Sequence, residues 1–323
     1  MKTFQFVQVG GRGLLKYILQ RFMQMIITLW VIATVTFFMM KAIPGDPFSD
    51  EKKLPEQVLA NLRAHYQLDD PIPVQYLNYM KRLLQLDLGP SIKFETRSVN
   101  DMIQEGFPVS FQLGIQALVC AIIAGLFLGV VAALKQNRTA DYLAMVLAVL
   151  GISIPSFVLG PLLQKYLAVE WELLPVATWE GFASTIMPTL ALAALPLATI
   201  TRLMRSSMVE VLTQDYIRTA RAKGLPPVYV ISRHTIRNAI LPVVTVIGPL
   251  AVGILTGSFV IENIFSIPGI GKYFVESIHN RDYPLIMGVT LFYSVLLVGI
   301  NFLVDLAYGL IDPRIQLGKK EGK

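Results

Sequence analysis

The sequence predicts an all-α integral membrane protein with about six membrane-spanning helices. Of its 323 residues, 54% are hydrophobic and only 15% are charged, whereas soluble proteins carry about a quarter charged residues. Lipid must therefore solvate much of the surface. A helix needs about 20 mainly apolar residues to cross the hydrocarbon core. Six runs have this length: 17–40, 109–134, 142–167, 182–204, 239–261 and 285–311.

Residues 1–40 are predicted to form a cytoplasmic N-terminus and the first transmembrane helix. Basic residues such as Lys2 and Arg12 precede an apolar run that ends at Met40. This run is longer than the 7 to 15 residues of a typical signal-peptide core, and no small-residue cleavage pattern follows it. We therefore interpret the segment as an uncleaved span.

The distribution of positive charge predicts the orientation of the chain. Lys and Arg are retained on the cytoplasmic side of a membrane, and they are in excess in the loops 135–141 and 206–238 and in the tail 312–323. The opposite loops are acidic or balanced. Both termini are therefore predicted to be cytoplasmic, with residues 109–311 forming a core of five spans. Topology also accounts for the net charge of +6, so a nucleic-acid-binding face is not indicated.

The polar segment 41–108 is predicted to lie outside the membrane, between the first two spans. It is too long for a hairpin, and apolar residues recur at helical spacing within 55–65 and 74–86. We expect a small helical cap or a surface that meets an external partner. A loosely ordered loop is the alternative.

Prolines interrupt the third, fourth and fifth apolar runs. A proline in a spanning helix frees a backbone carbonyl that needs a partner in protein or in a water-lined cavity. Such kinks suit a gated pathway, although proline is also common in ordinary membrane helices. The candidates for a translocation path are Pro155, Ser156, Phe157 and Pro249.

The side chains that usually carry catalysis or metal binding do not form a recognisable site. The single cysteine, Cys120, allows neither a disulfide framework nor a thiolate metal site. His65, His234 and His279 fall in three loops on two sides of the predicted membrane, so no shared metal site is expected. Glu262 at the end of the fifth run is interpreted as an interfacial residue. No metal ligand and no catalytic residue is assigned.

Two classes of enzyme are disfavoured by missing motifs. No Gly-x4-Gly-Lys-Ser/Thr phosphate loop occurs, so ATP would have to be hydrolysed by another protein. An intramembrane hydrolase could use Ser153, Ser156 or Ser258 as a nucleophile. However, no histidine lies in any predicted span and no Gly-x-Ser-x-Gly elbow is present.

A basic amphipathic segment from Asp215 to Pro242 separates two apolar runs. Residues 216–223 contain neither Pro nor Gly and are followed by Gly224, which predicts a short helix with a firm stop. The small residues Thr219 and Ala220 would let a partner approach the backbone, and the nearby cations would steer it. On charge alone, an ordinary basic loop is the alternative.

Several phrases along the chain carry a family resemblance. They are Ile43-Pro44-Gly45-Asp46-Pro47, Pro73-Val74-Gln75-Tyr76, Asp87-Leu88-Gly89, Ile154-Pro155-Ser156-Phe157, Ile264-Phe265-Ser266-Ile267-Pro268-Gly269-Ile270-Gly271, Arg281-Asp282-Tyr283-Pro284 and Asp312-Pro313-Arg314-Ile315. In this order the chain resembles the permeases of the oligopeptide, dipeptide and nickel branch of ABC importers. The long segment after the first span resembles the first of the two paralogous permease subunits.

The basic segment resembles the ATPase-coupling loop of this family. The family motif reads Glu-Ala-Ala, three residues, Gly, then a spacer and Leu-Pro. Here Arg218, Thr219 and Ala220 take the first three places, with Arg in place of Glu, and the spacer is about five residues longer than the general importer pattern. The resemblance implies an ATPase-coupling set of Tyr216, Arg218, Thr219, Ala220, Arg221, Lys223 and Gly224.

The resemblance also implies a fold, partners and a cargo. It implies an ABC importer permease fold that pairs with a paralogous permease, contacts two cytoplasmic ATPase subunits and receives oligopeptides or dipeptides from an external binding protein. No cofactor is expected in this chain, because ATP and Mg would be bound by the partner subunits. The expected location is a bacterial or archaeal cell (inner) membrane. A permease for nickel or another small solute is the alternative. An ion-gradient-driven secondary transporter is less favoured, because the spans carry almost no central charge and no internal repeat is visible.

Overall fold

The structure, a computed structural model, describes residues 11–43, 48, 55–94 and 96–311. The regular structure in these ranges is helical, with one isolated bridge between Pro90 and Ser98, which confirms the predicted all-α fold. The helices, in chain order, are α1 (Gly11–Ala42), α2 (Glu56–His65), α3 (Ile72–Leu84), α4 (Val99–Leu134), α5 (Thr139–Ser153), α6 (Ser156–Leu163), α7 (Gly181–Leu212), α8 (Asp215–Ala222), α9 (Pro227–Tyr229), α10 (Arg237–Ala239), α11 (Leu241–Ile264), α12 (Ile270–His279) and α13 (Tyr283–Ile311). Two π-helices, Gln164–Glu170 and Val230–Ile236, follow α6 and α9.

Up to six elements in the described part of the chain could cross a membrane. Four are single helices, at 18–42, 99–134, 181–212 and 283–304. Two more are bent pairs: Thr139–Ser153 with Ser156–Glu170, bent by 109°, and Pro227–Ala239 with Leu241–Leu255, bent by 50°. By length and composition the count reaches the predicted six only if each bent pair is one span.

The third predicted span differs from the expected continuous helix. Ile154 adopts an extended conformation with φ −94° and ψ 113°, and Pro155 follows with ψ 143°. A residue before proline is sterically pushed out of the helical region, so α5 ends at Ser153 and α6 begins at Ser156. The apolar composition hides this break because both arms are equally hydrophobic.

The polar segment after the first span contains the two helices that its pattern predicts, α2 and α3. The second span begins earlier than predicted. Ser98 caps α4, because its Oγ accepts a hydrogen bond from the backbone N–H of Asp101 at 3.1 Å, and Pro108 lies inside the helix. The phrases at 44–47 and 312–315 lie outside the described residues.

Contacts divide the chain into two compact units, residues 1–81 with 287–323, and residues 82–286. In the first unit, aromatic residues of α1 pack on α3. Phe37 stacks on Tyr79 with ring centroids 5.5 Å apart, and Thr34 Oγ1 lies 2.8 Å from the Tyr76 hydroxyl. Burial raises the pKa of the Tyr79 phenol to about 12.

The core of the second unit is built on the close approach of α4 and α7. A Cβ atom added at Gly125 would lie 2.9 Å from Ile200 Cβ, and one at Gly129 would lie 2.7 Å from Met204 Cβ. Glycines one helical turn apart let two membrane helices approach closely. Ile200 and Met204 are completely buried, so α7 is the central helix of this unit.

A buried carboxylate joins the loop before α4 to the start of α13. Asp282 is completely buried and accepts hydrogen bonds from Ser91 Oγ and from the backbone N–H groups of Ile92, Lys93 and Leu285, the last three each at 3.2 Å. Asp282 therefore caps α13 and fixes the loop at the same time.

Glu262 is buried, which corrects the interfacial position expected for it. One carboxylate oxygen accepts from Ser258 Oγ at 2.6 Å and the other accepts from the backbone N–H of Gly271 at 2.8 Å. Gly271 lies in the first turn of α12, where backbone N–H groups and the helix dipole favour an anion. Glu262 therefore ties α11 to α12.

Candidate functional site

The predicted short basic helix is present as α8, from Asp215 to Ala222. Asp215 lies in its first turn, where a carboxylate is favourable. Gly224 ends it in the left-handed region with φ +76°, a conformation that glycine adopts without steric cost. The local sequence signals therefore place both ends of the helix correctly.

The inner face of α8 is held by a small apolar cluster. Ile217 is completely buried and Ala220 is only 7% exposed. They pack with the buried Val230 and the half-buried Val211 and Leu225. Ala220 thus faces this chain, and its small size serves internal packing. This corrects the expectation that Ala220 lets a partner approach the backbone.

The outer face of α8 carries the other predicted coupling residues. The Arg218 guanidinium lies 3.5 Å from the Asp215 carboxylate, with the two side chains 72% and 96% exposed. Such an exposed pair contributes little stability, so the charges remain available to a partner. The remaining exposed members of the predicted set are Tyr216, Thr219, Arg221, Lys223 and Gly224.

Contacts connect α8 to the elements on both of its sides. Val211 lies near the end of α7, and Val230 begins the second π-helix. On the outer side, Asn238 Nδ2 donates a hydrogen bond to the Tyr216 hydroxyl at 3.2 Å. A displacement of α8 would therefore act on α7 and on the segment that leads into α11.

A cavity of about 230 Å³ lies at the break between α5 and α6. Its walls come from the end of α5, from residues 191–196 of α7 and from residues 249–254 of α11. Three of the four path candidates, Pro155, Ser156 and Pro249, line it together. Phe157 is absent from the lining and its side chain is 56% exposed.

The cavity is apolar but supplies backbone acceptors. Its lining contains no charged residue, and Ser156 provides the only side-chain hydroxyl. Pro196 has no N–H, so the carbonyl of Leu192, another lining residue, lacks its usual helical donor. The lining therefore offers no charged group that could select a cargo by its charge.

One partly buried ion pair near these elements was missed by sequence reasoning. The Arg205 guanidinium of α7 contacts the Asp141 carboxylate of α5 in a two-point arrangement, with Nε to Oδ1 at 2.5 Å and Nη2 to Oδ2 at 2.7 Å. From the sequence, neither residue was assigned a role. A single acidic residue in a basic loop is a weak signal of an ion pair. No neighbouring residue identifies its partner, which lies 64 positions away.

Comparison with known families decides the assignment. Residues 125–317, which include α8 and the cavity, match the model of the binding-protein-dependent transport system inner membrane component. Residues 14–114 match the model of the N-terminal part of such membrane components. The chain belongs to this permease family. It is therefore a multi-pass membrane protein of the ABC permease class.

Curated members of the permease family resemble the chain over nearly its whole length. It is 59% identical to the dipeptide transport system permease protein DppB of Bacillus subtilis over 94% of this chain and 99% of that protein. It is 47% identical to the oligopeptide transport system permease protein OppB of Salmonella typhimurium over 94% of this chain and 100% of that protein. It is 44% identical to DppB of Lactococcus lactis over the same shares.

Two solved structures share the permease fold. An inward-facing MetNI methionine ABC transporter matches with a TM-score of 0.54 and 15% identity, over 65% of this chain and 96% of that chain. An amino acid ABC transporter with histidines matches with a TM-score of 0.51 and 16% identity, over 64% and 93%. At these identities the likeness concerns the fold alone.

Proposed function

We propose that this chain is a membrane subunit of an ATP-driven importer of dipeptides or oligopeptides. The family assignment supports import that depends on a binding protein, and the relatives named as dipeptide and oligopeptide permeases support a peptide cargo. A nickel permease and a gradient-driven carrier are not favoured by these relatives.

The observation that carries the proposal is the packing of α8 on α7 and on the second π-helix, which leads through α10 into α11. Its inner face packs on Val211 at the end of α7 and on Val230 of the second π-helix. Both α7 and α11 continue to the cavity. A force on the outer face of α8 would therefore reach two walls of the candidate path, while the chain itself supplies no energy.

The other components of the importer follow from the family. A paralogous permease would complete the path, two cytoplasmic ATPase subunits would hold the coupling helices, and an external binding protein would deliver the peptide. ATP and Mg would be bound by the ATPase subunits. Because nucleotide prefers one state of those subunits, its binding energy would shift this chain between conformations.

The orientation and the coupling contacts complete the proposal. The chain would lie in the inner or cell membrane with both termini and α8 on the cytoplasmic side, where the positive charge is concentrated. Arg218, Arg221 and Lys223 form a cationic outer face, so the groove that receives α8 should be acidic. Tyr216 and Thr219 would contact the same groove.

The test is to reverse charge on the outer face of α8. The chain would be produced with its partner subunits, and labelled dipeptide uptake would be measured in vesicles with and without ATP. Arg218→Glu with Arg221→Glu should abolish ATP-driven uptake and co-purification of the ATPase, while the amount of chain in the membrane stays normal. Lys135→Glu, an exposed cation of the α4–α5 loop, is the matched control and should import normally.

Two results would contradict the proposal. Normal import by the double variant would remove the coupling role of α8. Uptake by the wild type that needs an ion gradient and no ATP would instead indicate a secondary transporter.

A further inference from the structure

Asp141 and Arg205 form a partly buried two-point ion pair between α5 and α7. The Asp141 side chain is 3% exposed and that of Arg205 is 25% exposed. The backbone N–H of Asn137 also donates to the Asp141 carboxylate at 2.9 Å. A guanidinium that meets a carboxylate through two parallel bonds fixes orientation as well as distance.

A second contact joins the same two helices at the other end of α5. A Cβ atom added at Gly151 would lie 2.8 Å from the carbonyl oxygen of Ala194, so the backbones touch there. Residue numbers rise along α5 from 141 to 151 while they fall along α7 from 205 to 194, so the helices run antiparallel. At a rise of about 1.5 Å per residue, the two contacts are roughly 15 Å apart.

The positions of these contacts link α8 to the cavity. Arg205 lies on α7 between the cavity-lining residues 191–196 and the end of the helix, where α8 packs on Val211. At its other end α5 carries Ile152, which lines the cavity, and the chain then bends by 109° at Ile154 and Pro155. If α5 and α7 moved together as one rigid body, that body would meet α6 at this bend.

We propose that the Asp141–Arg205 pair is a latch that makes α5 move with α7, so that displacement of α8 reaches the cavity wall at Ile152 to Pro155. Both are positioning residues, since they act through the helices they join. The inference rests on the proposed coupling function of α8. Without the latch, α7 would still follow α8, but the α5 wall would remain behind.

The energetics fit a role in transmission better than a role in stability. Burying an ion pair costs desolvation that its attraction often only balances, and well-packed apolar residues can replace such pairs without loss. The two-point ion pair instead fixes the register between α5 and α7, which otherwise meet mainly through apolar and small side chains. A fixed register would let a displacement of α7 be transmitted to α5.

The experiment measures the ratio of ATP hydrolysed to peptide imported by the reconstituted complex. Asp141→Asn keeps the shape and removes the charge, and Arg205→Gln removes the guanidinium. Each should raise the ratio by about tenfold, within the range of coupling effects between distant sites. A purely structural role would lower hydrolysis and import together and leave the ratio unchanged. The reversed pair, Asp141→Arg with Arg205→Asp, should bring the ratio back toward the wild-type value.

Two controls make the result specific. Lys165→Gln breaks an exposed pair in which Lys165 and Glu170 lie 3.8 Å apart, and it should leave the ratio unchanged. Gly151→Ala, which forces the other α5–α7 contact apart without altering charge, should raise it. An unchanged ratio in Asp141→Asn, Arg205→Gln and Gly151→Ala, beside a wild type that imports with ATP, would overturn the latch alone. A wild type without ATP-driven import would overturn the proposed function as well.

Discussion

The loop around Asp282 and the short helix α8 are held in opposite ways. Asp282 is completely buried and accepts four hydrogen bonds from two separate segments, the loop 91–93 and the start of α13. In α8, by contrast, the Asp215 side chain is 96% exposed and its carboxylate lies 3.5 Å from the Arg218 guanidinium. One region uses its charge to fix the fold, whereas the other leaves its charges on the surface.

The difference separates structural from coupling charge. Buried acceptors with several donors are costly to remove because the donors are left without partners. Exposed charges on α8 contribute little to stability, and the helix is held instead by Ile217, Ala220 and Val230. Stability and transport should therefore respond to different residues, which the following changes test in order of decreasing effect.

Asp282→Ala should have the largest effect on stability. Its removal leaves buried donors unsatisfied around Ser91 and the start of α13, which should lower the free energy of unfolding by about 4 kcal/mol. The thermal midpoint of the purified chain in detergent measures the loss. Asp215→Ala, at the corresponding exposed acid of α8, should leave the midpoint nearly unchanged. Equal losses for both acids would refute the contrast.

Ala220→Asp should detach α8 locally. A carboxylate among Ile217 and Val230 lacks a partner there, and burying it costs on the order of 2 kcal/mol. Trypsin should then cleave at Arg218 and Arg221 faster, and uptake of a labelled peptide should be lost while the chain stays in the membrane. The neighbouring exposed change, Thr219→Asp, should leave the cleavage rate normal. Unchanged uptake in Ala220→Asp would mean that α8 has no coupling role.

Gly224→Ala should loosen the end of α8 by a smaller amount. The position has φ +76° with nothing within 4 Å of an added Cβ, so the cost is backbone strain of about 1 kcal/mol. Hydrogen exchange of the α8 amides should accelerate severalfold. Gly181→Ala is a matched control, because Gly181 has φ +75° and equally open space, and it should leave α8 exchange unchanged. If the α8 amides exchanged at similar rates in both variants, Gly224 would not be the residue that ends α8.

Local signals in the sequence predicted the ends of α8 and the presence of α2 and α3. The stop at Gly224 and the helical spacing in 55–65 depend only on neighbouring residues, so they could be read directly. The sequence could not show that the Ala220 side chain faces inward, because this depends on its packing with Val230, which lies in a later element. Whether a small residue in a short helix is exposed depends on tertiary contacts.

Long-range polar contacts were beyond sequence reasoning for a similar reason. Asp282 meets Ser91 across 191 positions, and Asp141 meets Arg205 across 64. Hydropathy predicted where six apolar runs lie, but it did not show that the run at 142–167 breaks at Ile154. The pair Ile154 and Pro155 did carry a backbone signal for that break. Three of the four path candidates line one cavity at this break.

Arg218→Ala should have the smallest effect on stability and so tests the comparison most sharply. Its pair with Asp215 is 3.5 Å long and exposed, and the free energy of unfolding should change by less than about 0.5 kcal/mol. Uptake should nevertheless fall, because the cation would be lost from the face that meets the ATPase. Arg202→Ala, an exposed arginine on α7, should alter neither quantity. If Arg218→Ala destabilised the chain in proportion to its loss of uptake, the Arg218 charge would serve stability. The proposal that the outer face of α8 binds a partner would then be wrong.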